Sequence, residues 1–273
     1  MALAGKLPVL ITRADIKGDL HNHTNASDGN ATIEEMAEAA KALGYEYLAI
    51  TDHSKALAMT NGLSVERLMK HIEAVHGVSE RMTGITLLAG SEVDILADGR
   101  MDYEDEVLRE LDIVIASPHL SLKQDTKKAT DRLLRAIENR YVHVIGHPTG
   151  RLINRREGLP LEMGKLFTAA AQNGTAMEIN AGYPRLDLDE FNARAAIERG
   201  GVPNLHPRRI DSKTRELGAD LTSVVRPVVQ RLGETDPQRS VRLVTGVLVL
   251  DDIDGGVEVA GVQTLGHVLP AHA

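Results

Sequence analysis

The sequence contains no cysteine and no tryptophan, and only 3% of its 273 residues are aromatic. Without cysteine the chain cannot form disulfides, zinc–thiolate sites, iron–sulfur clusters or a thiol nucleophile. It also lacks an apolar run long enough to cross a membrane, and no basic start followed by an apolar stretch marks a signal peptide. These absences predict a cytoplasmic protein with no membrane partner. Histidine is then the main remaining ligand for a soft metal, and the chain has 11 of them.

The shortage of aromatic residues is uneven along the chain. The last aromatic residue is Phe191 and the last methionine is Met177. This shift in composition predicts two parts: a body, residues 1–202, and a C-terminal tail, residues 203–273.

Two hypotheses account for the tail. In the first, a frameshift near residue 203 makes it out-of-frame sequence. In the second, it is a diverged segment, in which residues 240–250 form β-structure and residues 251–256 form a turn.

In the body, short apolar segments alternate with amphipathic helical patterns. Thr32 begins a capping box and Gly44 is a helix stop. Strands that alternate with helices indicate a parallel sheet with right-handed crossovers. The predicted fold class is therefore α/β, as a distorted (β/α)₇ barrel related to the TIM barrel, with an open doubly wound sheet as the alternative. The predicted strands are residues 16–21, 47–51, 85–92, 113–117, 142–146 and 176–180, with a seventh from residue 201, and the predicted helices begin near residues 32, 64, 126, 161 and 187.

Barrels of this kind place functional side chains at the carboxyl ends of their strands. The first five predicted strands each end on or just before a histidine or a glutamate. One such histidine alone is more often structural than a ligand, but five successive strand ends favour a common site. The candidate metal ligands are His21, His23, Asp28, His53, Glu92, His119 and His147.

These residue types suit a metal cluster. In the His-x-His segment at residues 21–23, both imidazoles point to one face of an extended strand. Glu92 can bridge two cations, because a carboxylate offers two oxygens. Imidazole with carboxylate suits Zn²⁺, Mn²⁺ or Fe²⁺, and the candidates exceed what one tetrahedral ion needs. We therefore expect two or more divalent ions, which promote phosphoester hydrolysis.

Other titratable residues have simpler predicted roles. His71 and His76 are predicted to lie on a helix surface, and His143 to be structural. Asp52 is predicted to orient a metal ligand, and Asp19 either to do the same or to bind a backbone amide.

Two arginines are candidate catalytic residues together with Glu92. Arg151 and Arg185 follow the fifth and sixth predicted strands. At that rim a guanidinium can bind a phosphate through two parallel hydrogen bonds, although a surface salt bridge explains each arginine equally well. Arg155 and Arg156 are predicted to be solvated.

Four segments resemble a known family. They are Asp-Leu-His-Asn-His-Thr at 19–24, Thr-Asp-His-Ser at 51–54, Gly-Ser-Glu-Val-Asp at 90–94 and Gly-His-Pro-Thr-Gly-Arg at 146–151. They are similar to motifs of the polymerase and histidinol phosphatase (PHP) domain. Within that family they most resemble the C-terminal PHP domain of bacterial and archaeal family X DNA polymerases.

The resemblance implies a (β/α)₇ barrel with up to three metal ions, usually Zn²⁺ or Mn²⁺, and phosphoester hydrolysis. It implies that the seven candidates are ligands and that Glu92 bridges. In those polymerases the domain is associated with 3′–5′ exonuclease activity and 3′-end processing. This sequence departs from the pattern in two ways: we expect either a standalone protein or a fragment without the polymerase domain, and residues 203–212 lack the Asp-x-His that supplies the last ligand pair.

Three functional hypotheses follow. The leading one is a metal-dependent phosphoesterase that acts on a DNA 3′ end or a related phosphoester. The second is a small-molecule phosphomonoesterase of the histidinol-phosphatase type, which the net charge of −8 favours because it gives no basic surface for duplex DNA. The third is a non-catalytic metal-binding remnant.

Overall fold

A computed structural model describes residues 16–182, 184–199, 203–206, 246–253 and 256–264. Parallel strands alternate with helices through most of this length. The strands are β1 Gly18–Asp19, β2 Tyr47–Ile50, β3 Thr86–Asp94, β4 Ile113–Ser117, β5 Val144–Ile145, β6 Ala176–Asn180 and β7 Pro203–His206. The helices are α1 Ile33–Ala42, α2 Val65–Arg81, α3 Asp105–Leu108, α4 Thr126–Glu138, α5 Met163–Asn173 and α6 Glu190–Glu198.

The strands pair in chain order from β1 to β7, and each neighbouring pair is parallel. A doubly wound sheet reverses its strand order at a switch point, so the alternative of an open doubly wound sheet is wrong. The predicted α/β, TIM-like architecture is confirmed.

The predicted helix signals act as expected. Thr32 Oγ1 accepts the backbone N–H of Glu35, and the Glu35 carboxylate accepts that of Thr32, which completes the capping box of α1. Gly44 follows α1 with a φ of 83°, a left-handed conformation that glycine adopts without strain. The sequence reading missed the short helix α3 and a 3₁₀ turn at Ala58–Thr60.

Two hydrophobic layers lie on opposite faces of the strands, since successive strand side chains point to opposite sides. The outer layer packs against the helices and includes Leu48, Leu87 and Val114. The inner layer consists of Leu20, Tyr47, Ala49, Leu88, Ile113, Ile115, Val144 and Ala176. The interior is therefore a packed core, and only its carboxyl-terminal end is available for a site.

Most strand bounds agree with the predictions, but β1 is two residues long where residues 16–21 were predicted, and β5 is also shorter than predicted. It ends at Ile145, and the chain turns aside there because His147 has a φ of 26°. The turn places the His147 side chain over the end of the barrel rather than along its wall.

Within the predicted tail, two further strands form an antiparallel pair, β8 Gly246–Ile253 and β9 Gly256–Thr264. Strand β8 overlaps the predicted β-segment at 240–250, and it continues through residue 253, where a turn was predicted. Residues 207–245 and 265–273 lie outside the described residues. The division at residue 202 and both hypotheses for the tail stay predictions. No helix in the described ranges is long and apolar enough to cross a membrane.

Candidate metal centre

The carboxyl ends of the first five strands meet around one carboxylate, that of Glu92. Glu92 lies on the inner face of β3, four residues after Leu88, and is 1% exposed. Its oxygens lie close to five imidazoles: His147 Nε2 at 2.8 Å, His21 Nε2 at 3.2 Å, His119 Nε2 at 3.2 Å, His53 Nδ1 at 3.1 Å and His23 Nε2 at 3.4 Å. The structure therefore brings together the histidines that the sequence analysis selected.

Asp28 approaches the same cluster from a turn between β1 and α1. Its Oδ1 lies 3.6 Å from His23 Nδ1 and 3.7 Å from His53 Nε2. Its side chain is 29% exposed, which makes this the most open part of the cluster.

Three sets of side chains have ligand atoms within 4.8 Å of one another. They are His21 with His23 and Glu92, His23 with Asp28 and His53, and His53 with Glu92 and His119. We call the second of these the Asp28 set. His147 contacts Glu92 but belongs to none of the three.

The chemistry of the cluster fits divalent cations. The Nδ1 atom of His23 is buried and has no hydrogen-bond partner among the described residues, since Asp28 Oδ1 lies 3.6 Å away. A buried polar atom without a partner is costly, and a cation would supply one. Imidazole with carboxylate is a ligand set for divalent transition metals. We conclude that the cluster can hold divalent metal ions.

Glu178 is the main residue that the sequence reasoning missed. It lies on the inner face of β6, two residues after Ala176, and is fully buried. Its Oε1 lies 2.8 Å from His21 Nδ1, and its Oε2 accepts the backbone N–H of His147. A single carboxylate among the apolar residues Ala176, Met177 and Ile179 of this strand was the signal that could have revealed it.

Asp94 has a similar place beside His119. Its Oδ1 lies 3.2 Å from His119 Nδ1, and its backbone N–H donates to Ser54 Oγ. A carboxylate behind a ligand imidazole fixes the orientation of the ring.

The surface position predicted for His71 is wrong. Its side chain is 9% exposed, and its Nε2 lies 2.8 Å from Asp52 Oδ2. His76 is 28% exposed and pairs with Asp112 at 2.8 Å. Both residues are on α2, where the polarity of histidine suggested a solvated face.

The backbone carbonyl of Asp52 accepts the backbone N–H of Glu92 at 3.2 Å, but its carboxylate holds a turn and makes no described hydrogen bond to a candidate ligand. It accepts the backbone N–H and the hydroxyl of Thr24 and the hydroxyl of Ser27. Burial opposes its charge, but the hydrogen bonds from His71, Ser27 and Thr24 outweigh burial and lower the pKa of Asp52.

The roles predicted for Asp19 and His143 are consistent with the structure. Asp19 Oδ1 accepts the backbone N–H of His21 at 3.1 Å, which was one of its two predicted roles. His143 is buried, and its Nδ1 accepts the backbone N–H of Val114.

The ionisable groups of the cluster differ in the direction of their pKa shifts. Burial opposes the charge of Glu92, yet the surrounding imidazoles, His21 first, hold the pKa of Glu92 well below its usual value. Burial lowers the pKa of His119, but Glu92 and Asp94 outweigh it and raise that pKa to about 9. Burial, together with the charge of Arg185, lowers the pKa of His147 to about 4. Because a ligand imidazole must be deprotonated, protons and metal ions compete for these rings.

The two candidate arginines have different surroundings. Arg151 donates from Nε to the backbone carbonyl of Arg185 at 2.9 Å and from Nη2 to that of Leu186, and it pairs with Asp189 at 3.6 Å. Arg185 Nη1 is buried without a hydrogen-bond partner in the described part of the chain. Arg151 thus links the loop after β5 to the loop after β6. Arg185, by contrast, has a guanidinium nitrogen near His147 that donates to no described residue.

Arg156 is exposed but makes specific contacts, so its prediction as merely solvated is wrong. Its Nε and Nη2 both donate to the carbonyl of Gly150, at 2.9 and 2.6 Å. The reason is local, because residues 150–156 form a compact loop that is closed by an isolated bridge between Leu152 and Arg156.

The fold and the cluster define an α/β barrel protein with a candidate metal centre at the carboxyl ends of its strands. A family model described as the PHP domain matches residues 19–182. The chain belongs to the PHP domain family, as the sequence motifs predicted.

Several known proteins are similar to this chain. The DNA polymerase/3′-5′ exonuclease PolX of Bacillus subtilis is 46% identical over 191 residues, which is 70% of this chain and 34% of that protein. The match thus spans about a third of that relative's length. A probable phosphatase of Caldanaerobacter subterraneus is 34% identical over 206 residues, 73% of this chain and 71% of the relative. A solved histidinol phosphate phosphatase from Lactococcus lactis, complexed with Zn, L-histidinol and phosphate, is 18% identical, with a TM-score of 0.49 over 71% of this chain and 85% of that one.

Proposed function

We propose that this protein is a metal-dependent phosphoester hydrolase of the PHP type. The observation that carries the proposal is the buried Glu92 carboxylate, which has five imidazole nitrogens within 2.8–3.4 Å. Relatives named as a phosphatase and as an exonuclease support the same class. The sequence motifs predicted the same class of enzyme.

In the proposed centre, Glu92 would bridge, because its two oxygens face different imidazoles. His21, His23, Asp28, His53, His119 and His147 would complete the ligands. When bound, divalent ions of this kind supply a water of lowered pKa and stabilise charge on the phosphoryl oxygens. We propose Zn²⁺ or Mn²⁺, with Fe²⁺ as a further candidate, in two or three positions, since the three sets in the structure share ligands.

The role proposed for Arg185 is to bind the phosphoryl group. Its Nη1 has no hydrogen-bond partner among the residues that the structure describes, and its charge reaches His147, so a guanidinium donor is held beside the cluster. Arg151 was predicted to share this role. Its Nε and Nη2 donate to backbone carbonyls, so we propose that it acts through Arg185, by fixing the loop that carries it.

Two substrate classes remain candidates. A DNA 3′ end is supported by the similarity to PolX over the matched region. A small phosphomonoester is supported by the probable phosphatase, of which the chain covers 71%, and by the net charge of −8. We propose the DNA 3′ end as the leading substrate and the small phosphoester as the second.

The test uses the full chain, stripped of metal with a chelator and reloaded with Mn²⁺ or Zn²⁺. We expect metal-dependent hydrolysis of nitrophenyl phosphate or shortening of a 5′-labelled single strand from its 3′ end. Glu92→Gln should reduce turnover by at least about 100-fold. The matched control is Glu138→Gln at the exposed end of α4. A wild-type protein that binds metal but turns over neither substrate would be a non-catalytic remnant, and equal activity in both variants would refute the role of Glu92.

A further inference from the structure

The turn that carries Asp28 is held by hydrogen bonds of its own, among them Asn25 N–H to the Ala31 carbonyl at 2.9 Å, and by contacts from neighbouring elements. Within it, the backbone N–H of Gly29 donates to the carbonyl of Thr24 at 2.8 Å, and that of Ser27 donates to the same carbonyl at 3.2 Å. Asp28 itself is the most exposed member of the cluster. Its position also depends on what packs against the turn, because Asp52 accepts hydrogen bonds from, and Arg67 donates one to, residues that precede Asp28.

From the inside, Asp52 holds this turn. It accepts the N–H of Thr24 at 2.9 Å, the hydroxyl of Thr24 at 2.7 Å and the hydroxyl of Ser27 at 2.5 Å. Asp52 is fully buried, so a shift of its carboxylate away from Thr24 and Ser27 would leave a buried charge without these hydrogen-bond donors.

From the side, helix α2 holds the turn through two residues one helical turn apart. His71 Nε2 lies 2.8 Å from Asp52 Oδ2, and Arg67 Nη2 donates to the carbonyl of Ala26 at 2.6 Å. Residues four apart on a helix lie on one face, so both side chains reach the turn from the same direction. Arg67 also donates to the carbonyls of Asn61 and Gly62, which ties the preceding loop to the same point.

We propose that His71 and Arg67 are positioning residues that fix Asp28 relative to His23 and His53. The inference rests on the proposed metal centre. Neither residue is a candidate ligand: His71 acts through Asp52 and Arg67 through the Ala26 carbonyl. Both therefore determine how well the Asp28 set binds its ion. The other two sets share His23 or His53 with it but do not contain Asp28. Outer partners of this kind alter metal affinity by about 10–100-fold.

The experiment is a calorimetric titration of the chelator-stripped full chain with Mn²⁺, which needs no turnover. In His71→Phe we expect one binding step to weaken about 10–100-fold, while the remaining steps keep their wild-type affinity. His71→Gln, which keeps a donor, should restore part of the loss. Arg67→Met, which keeps the aliphatic stem, should weaken the same binding step. This variant replaces His71→Phe in the titration if His71→Phe does not fold.

The chain offers a matched control in His76→Phe. His76 is on the same helix, and its Nε2 also lies 2.8 Å from an aspartate oxygen, that of Asp112. It makes no described contact with the Asp28 turn. We expect its substitution to alter thermal stability at most. Equal Mn²⁺ affinities in wild type, His71→Phe and Arg67→Met would overturn the inference, as would uniform weakening of every step. A wild-type chain that binds no Mn²⁺ would overturn the proposed metal centre and this inference together, whereas binding without turnover would leave this inference standing.

Discussion

Glu178 Oε1 lies 2.8 Å from Nδ1 of His21, and the other oxygen of this carboxylate accepts the backbone N–H of His147. One buried side chain on β6 thus fixes the ends of β1 and β5. With Nδ1 of His21 engaged, its Nε2 faces Glu92 at 3.2 Å. The orientation of a candidate ligand therefore depends on a residue from the far side of the barrel.

We predict that Glu178→Gln lowers the affinity of the chain for Mn²⁺ by about 10–100-fold. Glutamine keeps one acceptor oxygen, but its amide N–H₂ would face a second donor, either His21 Nδ1–H or the His147 N–H. A metal titration of the stripped protein measures the effect. Glu138→Gln serves as the control, and a Glu178→Gln affinity within about twofold of wild type would exclude the orienting role.

Asp187 gives a pH-dependent prediction. Its Oδ2 accepts the N–H and hydroxyl of Thr149 and the N–H of Gly150, each at 3.0 Å. Burial nevertheless dominates and raises the pKa of Asp187 to about 6. Between the pKa of the unfolded state and about 6, the unfolded chain loses this proton while the folded chain keeps it. The free energy of unfolding should therefore fall as pH rises through this window, by about 1–3 kcal/mol, and be constant above it.

Asp187→Asn isolates this contribution, because asparagine does not titrate. Denaturant unfolding of the metal-free protein at about pH 4 and about pH 7 gives the wild-type and variant stabilities. We expect the wild type to lose stability relative to Asp187→Asn on going to the higher pH. A difference that does not change with pH, or that changes in the opposite direction, would show that the pKa of Asp187 is not raised.

Much of the cluster could be predicted from the sequence because barrels place functional side chains at the carboxyl ends of their strands. A histidine after a strand must lie at the carboxyl rim whatever the exact bounds of the strand, so the shortened β5 did not disturb the prediction for His147. Residues that lie within a helix or a strand, and not at its end, were harder to predict from the sequence. His71 lies three residues after the buried Leu68 and four before the buried Val75, a spacing that places it at the edge of the buried face of α2. Its partner Asp52 is distant in sequence, and no local pattern reveals such a pair.

Arg185 is predicted to act on the substrate and not on the metal. Arg185→Met should lower kcat/KM by about 100-fold, because one cationic donor to the phosphoryl group is removed. The affinity for Mn²⁺ should not fall, since no described contact links Arg185 to a carboxylate of the cluster and the variant removes a positive charge beside His147. Kinetics on nitrophenyl phosphate and a metal titration separate the two effects. Arg155→Met, on an exposed part of the neighbouring loop, is the matched control, and equal kcat/KM values in the two variants would contradict the prediction.

Two glycines should respond to alanine in opposite ways. A Cβ on Gly146 would lie 2.3 Å from Ser117 Oγ and 2.9 Å from Ile115 Cγ2, inside the barrel and beside His21. Gly146→Ala should therefore reduce the free energy of unfolding by about 1–3 kcal/mol. On α2, a Cβ at Gly77 would meet only Arg81 Nη1, at 3.4 Å, so Gly77→Ala should stabilise the protein by about 0.5–1 kcal/mol.

Urea unfolding of the metal-free chain measures both glycine variants against wild type. If the clash with Ser117 Oγ is the cause, Ser117→Ala combined with Gly146→Ala should recover part of the lost stability, because the hydroxyl is the nearest obstructing atom. That hydroxyl has no hydrogen-bond partner among the described residues, so its removal alone should cost little. Additive effects of the two substitutions would instead place the strain in the backbone of β5, and a stabilising Gly146→Ala would contradict the close packing of the barrel interior.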